Sequence, residues 1–121
     1  PNIVSGYFVK RSGAEAAIRS DLVKQGLNQK EIQDFWDFWQ SKLPNKEYIR
    51  ITWISKQQLE RLAPLYVSPA PDTMIRVFLD MEGADAPYPL AKQTFMTPNR
   101  NGFTVVEWGG LARDGSVPKL R

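Results

Sequence analysis

Two stretches of the chain repeat apolar residues at the spacing of an α-helix. In residues 14–25 the apolar positions recur every three or four residues, and Gly26 follows where a helix commonly ends in a left-handed conformation. The second stretch begins after Asn28, which lies three residues before Glu31 in the arrangement of a capping box. The pattern therefore predicts two consecutive helices, the second over residues 29–43.

The second predicted helix carries four large aromatic residues within the segment QDFWDFWQ. At about 100° per residue, its apolar side chains occupy an arc of roughly 160°, so they form one broad face. Phe35 and Trp39 lie in the middle of that face and are predicted to be core residues. Trp36 and Phe38 lie at its margins, where an aromatic side chain can also contact a partner. We expect Trp36 to be the more exposed of the two, because three glutamines surround it on the helix.

Alternation of apolar and polar residues, or enrichment in β-branched and aromatic residues, predicts the strands. The segments concerned are residues 3–10 with a bulge at Gly6, 48–54, 65–67, 74–80 and 103–108. In the second of them the alternation places Arg50 and Thr52 opposite the isoleucines, which predicts a half-buried strand. Gly109 and Gly110 are expected to end the last strand.

These elements predict a single α+β domain over residues 1–112, followed by a polar tail over residues 113–121. The broad apolar face of the second helix suits a helix that lies across a sheet. We therefore expect an antiparallel sheet of four to five strands, packed on one face by two helices. A short third helix is predicted after Ser55, which forms another capping box with Gln58. The longest irregular segment is predicted at residues 82–101.

The composition narrows the classes of function. The 121 residues include 16 Lys and Arg against 13 Asp and Glu, a net charge of +3, and the charges are interspersed. Nucleic-acid-binding proteins concentrate basic residues on one face, so no nucleic-acid partner is predicted. No apolar run approaches the ~20 residues that span a bilayer, so no membrane insertion is predicted. The chain has no cysteine and no histidine, which excludes disulfides, metal sites built on thiolate or imidazole, and catalytic triads that use histidine.

Three carboxylates flank a glycine at Asp80, Glu82 and Asp85. Calcium-binding loops also combine acids with a glycine, but the spacing of an EF-hand loop is absent here. We therefore interpret the three acids as a solvated strand end, and no metal and no cofactor is predicted. Cross-strand ion pairs are expected among the charged strand residues Arg50, Arg76, Asp80 and Glu107.

The candidate binding residues are Trp36, Phe38 and Trp108. Trp108 comes at a predicted strand end before two glycines, where exposure is plausible. Tryptophan is a frequent interface anchor, so the preferred hypothesis is a non-catalytic structural or protein-interaction module. One alternative is a carbohydrate-binding module that uses an exposed tryptophan. The other is an enzyme like the tautomerases, in which the amine of Pro1 acts as the general base if the mature chain begins there.

Three segments together carry a resemblance to a known domain. They are residues 26–35, GLNQKEIQDF; residues 62–78, which include LAPL and PAPDTMIRVF; and residues 102–110, GFTVVEWGG. They resemble a C-terminal domain of exported or cell-envelope bacterial proteins, a domain to which no activity is assigned. The resemblance implies an extracellular or envelope location, a partner that is a protein or another domain of a longer chain, and a Pro1 that is a cut end.

Overall fold

The computed structural model of the protein describes residues 4–115. Strand β1 spans Tyr7–Lys10, helix α1 spans Ala14–Lys24 and helix α2 spans Gln29–Trp39. Strand β2 follows at Tyr48–Trp53, then helix α3 at Lys56–Leu62, strand β3 at Thr73–Ala84 and strand β4 at Thr104–Arg113. Single turns of 3-10 helix precede α1 at Arg11–Gly13 and follow α2 at Gln40–Lys42. The α+β class and the three helices are therefore as the sequence predicts.

The described part of the chain forms one four-stranded sheet in the order β1-β2-β3-β4. The β1–β2 and β2–β3 pairs are antiparallel, as predicted, whereas β3 and β4 are parallel over ten residue pairs. The prediction of a wholly antiparallel sheet is therefore wrong. Residues 85–103 return the chain from the end of β3 to its beginning, so β4 enters the sheet in the same direction as β3.

Helices α1 and α2 begin where the sequence signals place them, but α2 ends at Trp39 and not at residue 43, because its last predicted turn is 3-10 helix over Gln40–Lys42. Gly26, with φ of 98°, follows α1, and its amide donates to Val23 O at 3.0 Å. The Asn28 side chain accepts a hydrogen bond from the Glu31 amide at 2.9 Å, and the Glu31 carboxylate accepts one from the Asn28 amide at 2.8 Å. This reciprocal pair is the predicted capping box, which satisfies two amides that the first turn of α2 would otherwise leave without partners.

The core lies between these two helices and one face of the sheet. That face presents the alternating apolar residues of β2 and β3, and Phe35 and Trp39 of α2 are buried against it, as predicted. The fully or nearly enclosed sheet residues are Ile49, Ile51, Trp53, Ile75, Val77, Leu79 and Met81. Burying such side chains stabilises the fold by about 1.5–3 kcal/mol each.

The other face of the sheet is polar but also buried, which contradicts the half-buried prediction for β2. Arg50 is only 1% exposed and Thr52 only 3%. Arg50 Nη2 donates to Asp80 Oδ1 at 2.9 Å, and Arg50 Nη1 donates to Thr52 Oγ1 at 2.7 Å. Arg76 Nε donates to Glu107 at 2.6 Å. The predicted cross-strand ion pairs are thus confirmed, and they allow charged residues to be buried because each guanidinium contacts a carboxylate.

Several predicted strands differ from the structure: β1 begins at Tyr7 and not at residue 3, and β3 continues to Ala84, four residues beyond its predicted end. Residues 65–67 form no strand, and Tyr66 is 91% exposed. Strand β4 continues through Gly109 and Gly110 to Arg113, five residues beyond the predicted end at Trp108. Glycine weakens a strand, but here the two glycines are paired with Phe78 and Leu79 of β3 and are held in the ladder.

The irregular segment begins at residue 85, because β3 extends to Ala84. Its course is fixed by hydrogen bonds at intervals along its length. Ala91 exchanges backbone bonds of 2.9 Å with Val4 and Gly6, and the Gln93 side chain bonds both backbone groups of Trp53 at 2.8 and 2.9 Å. Arg100 then contacts the N-terminal turn of α2. The segment is therefore hydrogen-bonded to the N-terminal segment, to β2 and to α2.

Pro1 and residues 116–121 of the predicted tail lie outside the described residues. Within residues 4–115, no helix is both long enough and apolar enough to cross a bilayer.

Candidate protein-interaction surface

The structure separates the two marginal aromatics of α2. Trp36 is 7% exposed and belongs to the core, whereas Phe38 is 46% exposed. The expected order of exposure is therefore wrong. Helix α1 lies against the side of α2 that carries Gln33, since Arg19 donates to the Gln33 side chain at 2.9 Å. Trp36 follows Gln33 by three residues, on that same side, so α1 covers it and leaves the opposite margin open.

Phe38 and Trp108 together form a small aromatic patch at the β4 side of the sheet. Their ring centroids are 5.5 Å apart, with the planes inclined by 60°. Trp108 is half-buried and also contacts Phe35 edge-on, with a centroid distance of 5.1 Å. Lys42 Nζ lies 3.8 Å above the Phe38 ring. The aromatic patch, meaning Phe38 and Trp108, is thus held in place by the core on one side and open on the other.

Beside the aromatic patch, β4 presents an edge to which no described strand pairs. The Phe103 carbonyl faces β3, because it accepts a bond from the Thr73 amide at 3.1 Å. Main-chain groups alternate in direction along a strand, so the odd-numbered residues of β4 bond to β3 and the even-numbered residues point outward. The outward residues are Thr104, Val106, Trp108, Gly110 and Ala112. We call their main-chain donors and acceptors the open edge.

The edge on the β1 side is different. Strand β1 has only four residues, and its approach is covered by the bridge between Ser5 and Ala91. On the face of β4 opposite the aromatic patch, Leu111 is 51% exposed. The open edge is therefore the longer of the two sheet edges, and it is flanked by apolar side chains on both faces.

The three acids near the end of β3 are paired with basic side chains. Arg113 Nη2 lies 2.8 Å from Asp80 and 3.5 Å from Glu82, and Lys46 lies 3.3 Å from Asp85. Among residues 4–115, no group of three or more acidic side chains is placed to hold a metal ion. Asp80 and Glu82 thus neutralise arginines on the polar face of the sheet, whereas Asp85 contacts a lysine.

A buried cluster centred on Asp21 was not predicted. Asp21 lies on the same side of α1 as Ile18 and Leu22 and is 6% exposed. Its Oδ2 accepts bonds from the Tyr7 hydroxyl at 2.5 Å and from Trp53 Nε1 at 2.8 Å. The sequence signal for this cluster is the position of Asp21, which places a carboxylate among the apolar residues of the first predicted helix.

The chain was compared with protein-family models, with curated proteins and with solved structures, and none of the three comparisons found a match.

Proposed function

We propose that this domain is a non-catalytic protein-interaction module that binds an extended segment of its partner along the open edge of β4. The observation that carries the proposal is the row of outward main-chain groups of β4, beside the aromatic patch, to which no strand within residues 4–115 pairs. An extended peptide can add a strand to such an edge, with main-chain bonds giving affinity and alternate side chains giving specificity.

The flanking side chains specify what the partner segment looks like. Its side chains on the helix side would meet Phe38 and Trp108, and those on the other side would meet Leu111. Apolar residues are thus favoured on both faces of the added strand. Trp36 is not part of this surface because it is buried. The resemblance noted in the sequence supports a module within a longer exported or cell-envelope protein.

A carbohydrate ligand is less well supported by the geometry. A sugar ring stacks on the open face of an aromatic ring. In the aromatic patch, however, the ring of Phe38 meets that of Trp108 at 60°, and Trp108 is itself half-buried. A peptide needs only the outer parts of these side chains and the backbone of β4.

Selection from a phage library of random decapeptides tests the proposal. The Ala112→Pro variant removes an outward amide while keeping the ladder to β3, because proline is tolerated where the N–H of an edge strand faces outward. The Phe38→Ala variant removes the exposed half of the aromatic patch. Val23→Ala is the matched control, since Val23 is similarly exposed but lies on α1.

The expected result is a set of peptides with alternating apolar residues whose binding falls at least tenfold in Ala112→Pro and Phe38→Ala and is unchanged in Val23→Ala. Amide exchange at Val106, Trp108 and Gly110 should slow when such a peptide binds. Failure to select any peptide, or peptides indifferent to Ala112→Pro, would refute strand addition. Binding on a glycan array that depends on Phe38 but not on Ala112→Pro would favour the carbohydrate alternative.

A further inference from the structure

A cleft of about 870 Å³ opens on the β1 side of the sheet, away from the open edge. Its walls are formed by β1, by one side of α1 and by residues 87–95 of the long connection. Phe8 and Tyr88 meet edge to face in one wall, with ring centroids 4.7 Å apart. The cleft is large enough for a small organic molecule, and its wall on the connection is anchored through Ala91 and Gln93.

Asp21 lies in this cleft as a buried carboxylate with neutral partners. The Tyr7 hydroxyl and the Trp53 indole both donate to Oδ2. Among the described residues, no lysine or arginine nitrogen comes within 4.0 Å of this carboxylate, whereas Asp80, the other buried acid, contacts two arginines. Buried carboxylates are normally paired with a cation, so Asp21 is an exception within this structure.

The second oxygen of Asp21 is available to a ligand. Oδ1 accepts no hydrogen bond from residues 4–115. In the described residues, the side-chain polar atoms that are both fully buried and without a hydrogen-bond partner are Trp39 Nε1 and Arg76 Nη1, and Oδ1 is not one of them. Asp21 lines the cleft, and its Oδ2 is already engaged by Tyr7 and Trp53, so Oδ1 is the oxygen left to accept from a donor in the cleft. Burial and the bond to Asp21 raise the pKa of Tyr7, so its hydroxyl keeps its proton and remains a donor to Oδ2.

The cleft also has a cationic side. Lys24 follows Asp21 by three residues and therefore lies beside it on the surface of α1, and Lys92 lines the opposite wall. Both lysines are exposed, whereas Asp21 is enclosed. A simple amine would satisfy Asp21 but would meet two positive charges, and a simple acid would leave Asp21 unpaired. A ligand that carries both charges on neighbouring atoms satisfies both groups.

We infer that the Asp21 cleft binds a free α-amino acid with a large apolar side chain. The ammonium group donates to Asp21 Oδ1, the carboxylate contacts Lys24 or Lys92, and the side chain lies against the aromatic walls formed by Phe8, Tyr88 and Phe95. This site is independent of the proposed strand addition, because it lies on β1 and α1 and shares no residue with the open edge.

The test uses L-phenylalanine as the probe and follows the indole N–H signal of Trp53, which reports on Asp21 directly. Assignment comes from the loss of that signal in Trp53→Phe. L-Phenylalanine should shift the signal saturably, with a dissociation constant on the order of 1 mM, the range expected for a ligand of about a dozen heavy atoms. Phenethylamine and 3-phenylpropionate, which each lack one of the two charges, should bind at least fivefold more weakly.

Three variants separate the ligand contacts from folding. Asp21→Asn keeps the size of the side chain and should weaken L-phenylalanine at least tenfold. Ala17→Leu adds bulk to the cleft wall one helical turn before Asp21 and leaves the carboxylate itself in place, so it should abolish binding while the melting temperature is retained. Replacing both lysines, Lys24→Gln together with Lys92→Gln, should reduce the affinity for L-phenylalanine toward that for phenethylamine. Binding that is unaffected by Ala17→Leu, an absence of any shift at 20 mM, or equal affinity for the amine and the amino acid would each overturn the inference.

Discussion

Gly109 and Gly110 are adjacent in β4, yet the structure predicts opposite responses to alanine. A methyl group at Gly110 would point into the core, with its carbon 2.6 Å from Leu79 O and 2.7 Å from the ring of Trp39. At Gly109 the same group would point to the other face and lie 3.4 Å from the ring of Phe78, at ordinary contact distance. Neither glycine has a positive φ, so the difference between them is one of space.

The magnitude follows from these distances. For Gly110→Ala, backbone and indole must retreat by about 0.8 Å to restore ordinary contact. Overpacking of this kind costs roughly 1–3 kcal/mol in the free energy of unfolding. Gly109→Ala meets no such obstacle and should gain about 0.4–1 kcal/mol, because alanine restricts the unfolded chain. The two variants should therefore differ by about 1.4–4 kcal/mol in the free energy of unfolding, or roughly 6–16 °C in melting temperature for a domain of this size.

Thermal and urea denaturation followed by far-ultraviolet circular dichroism would measure this difference. The slope of the urea transition should be the same in both variants, since neither change alters the surface exposed on unfolding. A Gly110→Ala variant as stable as Gly109→Ala would refute the reasoning, because it would mean that β4 does not lie as closely against Leu79 and Trp39 as the structure has it.

The remaining predictions concern α2, the long connection and the Asp21 cluster. Trp36→Ala should lower the free energy of unfolding by about 3–5 kcal/mol and Phe38→Ala by roughly 1 kcal/mol, measured by urea denaturation; equal losses would contradict the observed exposures. The hydrogen bond from Arg100 holds the pKa of Glu31 below its ordinary value, so this pair stabilises the fold above that value. The gap in melting temperature between wild type and Arg100→Gln should therefore close as the pH falls through the acid range, and a constant gap would count against it. The pKa of Tyr7 is raised, so the stability that depends on its proton is present below the ordinary tyrosine pKa of about 10 and is lost above it. An alkaline titration followed at 295 nm should detect one ionising tyrosine fewer in the folded protein than in the same chain unfolded. In the Tyr7→Phe variant the folded and unfolded forms should show equal numbers.

The helices could be predicted because their signals are local. The capping box at Asn28 and Glu31, and the glycine after α1, involve residues within one turn of each other, and the structure reproduces both. Ion pairing between Arg50 and Asp80 was also predictable in kind, because charged residues on neighbouring strands commonly pair. Predicting these features requires only the local sequence and the assumption that the strands form one sheet. It does not require knowing which helix packs against which element.

The wrong predictions concern the exposure of Trp36 and the direction and end of β4. Each of these features depends on contacts between residues that are far apart in the sequence. The exposure of Trp36 is decided by α1, which covers one margin of α2, and a helical projection of α2 alone does not contain that information. The direction of β4 is decided by where residues 85–103 deliver the chain, and the segment contains no helix that would signal a parallel crossover. Gly109 and Gly110 look like a strand end because their interstrand partners on β3 are not visible in the local sequence.

The contrast between the two sheet edges bears on the proposed function. A long edge with apolar neighbours is a site of unwanted association, and proteins usually protect it with charges, prolines, bulges or a covering segment. The β1 side has such a cover at Ala91, and Gly6 bends the chain there with φ of 132°. Strand β4 has neither proline nor bulge within Thr104–Arg113, and its two charged side chains, Glu107 and Arg113, are engaged with residues of β3. Within residues 4–115, the β4 edge lacks these protections while the β1 edge is covered, which is the pattern expected of an edge that a partner strand occupies. This contrast is the physical reason for proposing β4 as the site of strand addition.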